Sequence, residues 1–294
     1  MKRLLTSAFF FLLALAATAQ TRTEQHEAFR VEITGNGQPL YLIPGATCSG
    51  DVWKETVAYY AKNYQCHVFT LAGYAGQTPM PEGDTYLARH KAAIQNYMAE
   101  HGKGTLMGHS IGGYLAMWIA SDQPDLLTKL VIVDALPYLR GSMDASTPEF
   151  DPKPAAEQQF QAIKALPDSS FKQMQMPIVQ GMIKDSTRWA AVGGWGMASD
   201  RRTIAYTTME MMAQDLRDEI AAISVPVLVM GQFDGPYPAY PDFTQQSVET
   251  NLEKQYAGIE NAQIVVAQGA RHFIMYDAPD WFYQQVDTFL AQAN

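Results

Sequence analysis

At 294 residues, with a formal charge of −9, 47% apolar and 17% charged residues, the chain is long enough for one large domain or two ordinary ones. That composition excludes intrinsic disorder and a collagen-like repeat, and two cysteines are too few for a disulfide-stapled mini-protein. The acidic balance argues against nucleic acid as a partner, because no basic stripe is present to meet phosphate.

Lys2 and Arg3 precede an apolar run from Leu4 to Leu15, and Ala17-Thr18-Ala19 is a small-x-small cleavage motif. That order is a secretory signal peptide over residues 1–19, cut near Ala19. The apolar run is shorter than the ~20 residues a spanning helix requires. The expectation is an exported, periplasmic or secreted protein with no stable membrane insertion. Export places Cys48 and Cys66 where a disulfide can form.

Downstream, short apolar runs alternate with amphipathic stretches, the pattern of a mostly parallel α/β sheet. Arg30–Thr34 and Leu40–Ile43 read as two strands around the Gly35-Asn36-Gly37 turn. Then come a helix at Asp51–Asn63, a strand at His67–Leu71, a helix at Thr85–Glu100, a strand at Gly104–Gly108, a helix at Ile111–Ser121 and a strand at Leu130–Val133. From Pro137 to about Met209 the spacing predicts no strand, only helical stretches such as Pro154–Leu166 and Ser169–Met182. The alternation resumes with a helix near Met209–Ile220, a strand at Val225–Met230, a helix at Phe243–Tyr256, a strand at Gln263–Val266 and a terminal helix from Pro279. The division is therefore a core of residues 20–136 and 210–294 carrying a helical cap of residues 137–209. This layout puts Cys48 and Cys66 at opposite sheet edges, farther apart than the ~7 Å between Cα atoms that a disulfide spans, and predicts two free thiols.

Gly108-His109-Ser110-Ile111-Gly112-Gly113 matches G-x-S-x-G, a strand-to-helix turn that lifts a serine hydroxyl above the sheet. A serine is a weak nucleophile until a base takes its proton and an acid orients that base. Of six histidines, His272 alone follows a predicted strand at the serine's edge. Asp234, after the strand Val225–Met230, is the first choice of acid and gives the order Ser, Asp, His. Asp134, after Leu130–Val133, is the rival. The oxyanion requires two backbone N–H groups; Ile111 supplies one, and Ala46, with Thr47 second, the other. No metal-ligand spacing occurs, and this chemistry requires no cofactor.

With those residues placed, the chain resembles the α/β-hydrolase fold family, in the serine branch with a helical cap, which includes esterases, lipases and proline iminopeptidases. The resemblance runs from about Phe29 to Leu290 and rests on the Pro44-Gly45 loop with Trp53 downstream, the Gly108–Gly113 elbow, the Gly231–Asp234 turn and the Gly269–Phe273 segment. It implies a Ser110–His272–Asp234 triad. Serine at the elbow speaks against haloalkane dehalogenases and epoxide hydrolases, which carry aspartate there. Two departures stand out. Pro44-Gly45 replaces the usual His-Gly, and Leu71-Ala72-Gly73-Tyr74-Ala75-Gly76 lacks the acidic and basic residues of the usual Asp-x-Arg-Gly-x-Gly turn.

Between Pro137 and Met212, over the cap and the residues just after it, lie eight methionines (Met143, Met174, Met176, Met182, Met197, Met209, Met211 and Met212) with Trp189 and Trp195, read either as a deformable apolar pocket or as helix-packing core. The expected activity is hydrolysis of a small-molecule carboxylic ester. An amide or peptide hydrolase of the proline-iminopeptidase type is the alternative, with Glu149, Asp151, Glu157, Asp185 or Glu210 as carboxylates for a substrate amine. A carbon–carbon bond hydrolase and a non-catalytic binding protein on the same scaffold complete the set.

Overall fold

A computed structural model describes residues 21–83, 85–140, 151–236 and 242–292; the expected signal segment 1–19 and the residues Met143 and Glu149 lie outside them. The strands are β1 (Arg22–Gln25), β2 (Phe29–Thr34), β3 (Gln38–Ile43), β4 (Tyr64–Leu71), β5 (Gly104–His109), β6 (Leu127–Val133), β7 (Val227–Phe233) and β8 (Ala262–Gln268). They form one sheet in the order β1-β2-β4-β3-β5-β6-β7-β8, parallel from β4 through β8, with β1 and β2 antiparallel at one edge. The helices are α1 (Lys54–Tyr60), α2 (Tyr86–His101), α3 (Ile111–Asp122), α4 (Pro152–Lys164), α5 (Asp168–Met182), α6 (Trp189–Ala198), α7 (Arg201–Ala213), α8 (Gln245–Gln255), α9 (Ile274–Asp277) and α10 (Pro279–Leu290).

The central strands are apolar on both faces, as strands covered by helices on each side must be. Tyr41, Ile43, Leu106, Leu130, Ile132, Val227 and Val229 join one cluster with Ile94, Leu115 and Ile119 of α2 and α3. Their neighbours Leu40, Leu42, Met107, Val131, Val133, Leu228 and Met230 face the other way, onto Trp53, Phe282, Val286 and Phe289. Cys48 and Cys66 are buried and unpaired. Among the described residues no helix is long and apolar enough to cross a membrane.

Three expectations are corrected. β2 and β3 flank a tight turn but do not form a hairpin: both pair with β4, one antiparallel and one parallel. The helix expected near Met209–Ile220 is instead the end of α7, which runs to Ala213, followed by a short 3-10 turn at Glu219–Ala222. The stretch from 51 to 63 splits into a 3-10 turn over Gly50–Trp53 and the shorter α1.

His90 of α2 is fully buried, its Nδ1–H donating to the carbonyl of Ala28 at 2.9 Å while Nε2 has no partner. Burial pushes its pKa down to about 4, against about 6.5 in an unfolded chain. Between those values the unfolded state binds a proton that the folded state refuses, so stability falls as pH drops through the window. From pH 7 to pH 5 this one histidine should cost roughly 2 kcal/mol. Urea unfolding should show that loss in the wild type and a correspondingly flatter pH dependence in His90→Asn; parallel curves would contradict a buried neutral imidazole.

Candidate active site

The parallel ladder sets the levels at which functional side chains leave the sheet. His109 pairs with Val133, and Val133 pairs with Met230. The pattern continues one residue further: Ser110 N–H donates to Val133 O at 3.0 Å, and Asp134 N–H donates to Met230 O at 2.8 Å. Ser110 and Asp134 therefore leave β5 and β6 side by side. Both take a left-handed backbone, with φ of 54° and 45°, a conformation that costs a non-glycine residue free energy and collects at functional sites.

The elbow turns this sharply because its glycines admit backbone where a side chain would stand. A methyl group on Gly108 would strike the Gly112 carbonyl, and one on Gly112 would strike the carbonyls of Ile43 and Pro44. The loop after β3 lies directly over the turn. A Cβ on Gly45 would come within 2.8 Å of His109 Nδ1 and 3.3 Å of the Ser110 Cβ, so the glycine of Pro44-Gly45 lets Ala46 approach the serine. Ile111 opens α3, where a backbone N–H has no partner within the helix.

Ser110, Ala46, Asp134 and His272 line one cavity of about 680 Å³. His272 Nδ1 lies 2.6 Å from Asp134 Oδ2. A neutral imidazole meets an ionised carboxylate only through an N–H, so Nδ1 carries the proton and Nε2 keeps its lone pair. The expectation that Asp234 holds His272 is overturned here, and the rival Asp134 takes the position. The reason is register. β7 and β8 stay paired through Gly231, Gln232 and Phe233, which carries Asp234 three residues past the level of Asp134, about 10 Å at ~3.3 Å per residue. Asp234 instead meets Lys184 Nζ at 3.0 Å and Arg271 Nε at 2.8 Å. Burial would raise its pKa, but the hydrogen bonds from Arg271 and Lys184 outweigh that and hold it below the usual carboxylate range.

His109, passed over as the variable position of the elbow, is fully buried under the site. Its Nε2 donates to the His272 carbonyl at 2.9 Å, and its ring lies 4.6 Å from the His272 ring. Burial first, and the neighbouring His272 second, hold its pKa well below the ordinary value, so it stays neutral.

Apolar side chains form most of the cavity wall: Leu136, Leu139, Met182, Met211, Val248 and Leu252 among them, with Gln232, Ser247 and Asn251 adding neutral polar groups. Of the described methionines between Pro137 and Met212 only Met182 and Met211 reach the cavity. Met176 abuts Gly193 between helices, Met197 and Met209 join the core, and Trp189 and Trp195 pack on the opposite cluster. Ala46 lines the cavity and Thr47 does not. The described cap carboxylates are engaged elsewhere. Asp151 and Asp185 cap turns, Glu157 binds Tyr206 and Arg202, and Glu210 accepts from the backbone N–H groups of Tyr86 and Leu87. No cluster of three or more His, Cys, Asp and Glu able to hold a metal occurs among the described residues.

The chain is similar to pimeloyl-[acyl-carrier protein] methyl ester esterases, that of Vibrio cholerae at 27% identity over 225 residues (71% of this chain, 80% of the relative) and that of Aeromonas salmonicida at 27% over 280 residues (88% and 98%). In structure it resembles a hydrolase from Pseudomonas aeruginosa, with a TM-score of 0.71, 17% identity and coverage of 94% and 100%. A thermophilic esterase from Thermogutta terrifontis follows at 0.70, 20% identity and coverage of 92% and 98%. The profile of the alpha/beta hydrolase family matches residues 40–285; the chain belongs to that family and is a hydrolase of its serine type.

Proposed function

We propose that this protein hydrolyses carboxylic esters of a medium-length, uncharged acyl group through an acyl-enzyme on Ser110. The observation that carries the reading is the convergence of Ser110, Ala46 and the Asp134-bound His272 in one apolar-walled cavity. Its volume suits a small molecule, and no lysine or arginine is among its described lining residues, so a free carboxylate has no cation to meet there. The names of the similar esterases support a small leaving alcohol.

Ser110 Oγ attacks the ester carbonyl carbon while His272 Nε2 takes its proton. The N–H groups of Ala46 and Ile111 hold the oxyanion, and Asp134 steadies the imidazolium. As the tetrahedral intermediate collapses, the carbon–oxygen bond to the alcohol breaks and His272 returns the proton to it. Water then repeats the sequence on the acyl-serine and releases the acid. Export over residues 1–19 belongs to the same proposal: the basic, apolar and small-residue pattern supports it, and β1 starts at Arg22, so a cut after Ala19 spares the sheet.

A fluorophosphonate probe should label the wild type and not Ser110→Ala. With short aryl esters, Asp134→Asn should lower kcat by about 10³–10⁴-fold, the scale of losing a triad acid; near-normal kcat in that variant would remove Asp134 from the mechanism. Turnover of aminoacyl amides but not esters would shift the assignment to the peptidase alternative. Ser110→Gly relieves the left-handed backbone, worth ~1–3 kcal/mol less the added freedom of unfolded glycine. Its Tm should rise by about 2–4 °C as activity vanishes, and a fall would mean the elbow is unstrained. Intact-mass analysis of the exported protein should find Gln20 first.

A further inference from the structure

The residues on either side of His272 are pinned from two directions. Arg271 N–H donates to Asp277 Oδ2 at 3.0 Å, and Phe273 N–H donates to the Met182 carbonyl at 3.3 Å. Met182 ends α5, so the cap itself forms part of the histidine's seat. Three further bonds cross the same junction. Arg271 Nη1 donates to the Gln180 carbonyl at 2.7 Å, Lys184 Nζ to the Gly269 carbonyl at 2.8 Å, and Lys184 N–H to Asp277 Oδ1 at 2.9 Å. Asp234 joins the two cations, one oxygen on each.

We propose that Asp234, Lys184 and Arg271 form a latch that seats the end of α5 on the histidine loop and so positions His272. The argument rests on the ester-hydrolase reading. Asp234 is 11% exposed, but Lys184 and Arg271 are 44% and 31% exposed, so these ion pairs remain open to screening by salt. Without its charge, Arg271 and Lys184 would face each other as like charges and push the cap from the loop. Arg271 is bonded to His272 through a single peptide, so that movement reaches the imidazole. Met182 also borders the cavity, and one helix end therefore touches both the substrate space and the latch. Asp234 and Arg271 are positioning residues, acting through His272.

Steady-state turnover of a short aryl ester and the fluorophosphonate labelling rate test this in Asp234→Asn, Lys184→Met and the double variant. Expected for Asp234→Asn is a tenfold loss of kcat and of labelling rate with KM within twofold, and no added loss in the double variant. Wild-type kcat should fall toward that of the variant in 1 M NaCl, while the variant should be insensitive to salt. Unchanged kcat, a change confined to KM, or equal salt responses would overturn the latch. A loss of 10³ or more, matching Asp134→Asn, would overturn it too and make Asp234 the triad acid. Should Asp234→Asn fail to fold, Lys184→Met carries the same readouts, its side chain being 44% exposed. A wild type that neither labels nor turns over esters overturns the ester reading itself, whereas a working wild type with an unchanged Asp234→Asn overturns the latch alone.

Discussion

The bond from His272 Nδ1 to Asp134 is the contact on which the rest of the site depends. Once that N–H is committed to the carboxylate, the imidazole has one tautomer, one ring orientation and one nitrogen free to take a proton. Asp134 can hold it because the β5–β6–β7 ladder brings Ser110 and Asp134 off the sheet at the same level. The left-handed backbone at both residues is the strain that this parallel exit stores.

The elbow was legible in the sequence because it is local: glycines, a serine, an apolar strand before and a helix after fix one turn. Acid choice was not, because it depends on where a strand ends, and pairing decides that. Gly231-Gln232-Phe233 is not an apolar run, yet β8 keeps it in the sheet and carries Asp234 past the site. Ser110, Asp134 and Asp234 each follow their strand by one residue, and only the register, with Val133 opposite Met230 and β7 running on to Phe233, separates the two aspartates. Reading β2 and β3 as partners around their turn failed for a related reason, since the turn is local but the partner of both strands, β4, lies 26 to 42 residues downstream. Helices α6 and α7 were hard to read because the first holds Gly193, Gly194 and Gly196 and the second is rich in threonine, with Ile204 and Tyr206, residues of low helix propensity or good strand formers.

In the cap, acidic side chains spend their charge on structure. Glu210 takes the two backbone N–H groups at the start of α2, a favourable place for a carboxylate beside a helix N-terminus; burial still raises its pKa above the ordinary range. Asp151 and Asp185 cap turns in the same way. These carboxylates are committed to helix ends and to side chains within the fold, and the described cavity wall is mostly leucine, valine and methionine.

His109 completes the electrostatics. In the proposed mechanism, a cation directly beneath His272 would oppose its protonation just as the serine gives up its proton. Burial keeps His109 neutral, so it can donate to the His272 carbonyl without imposing charge. The charge on Asp234 is likewise met by Lys184 and Arg271 instead of competing with Asp134 for the imidazole. Of the two carboxylates at this sheet edge, one is thus spent on holding the histidine loop in place. The other, in the proposed mechanism, stabilises the charge that His272 would acquire as the serine attacks.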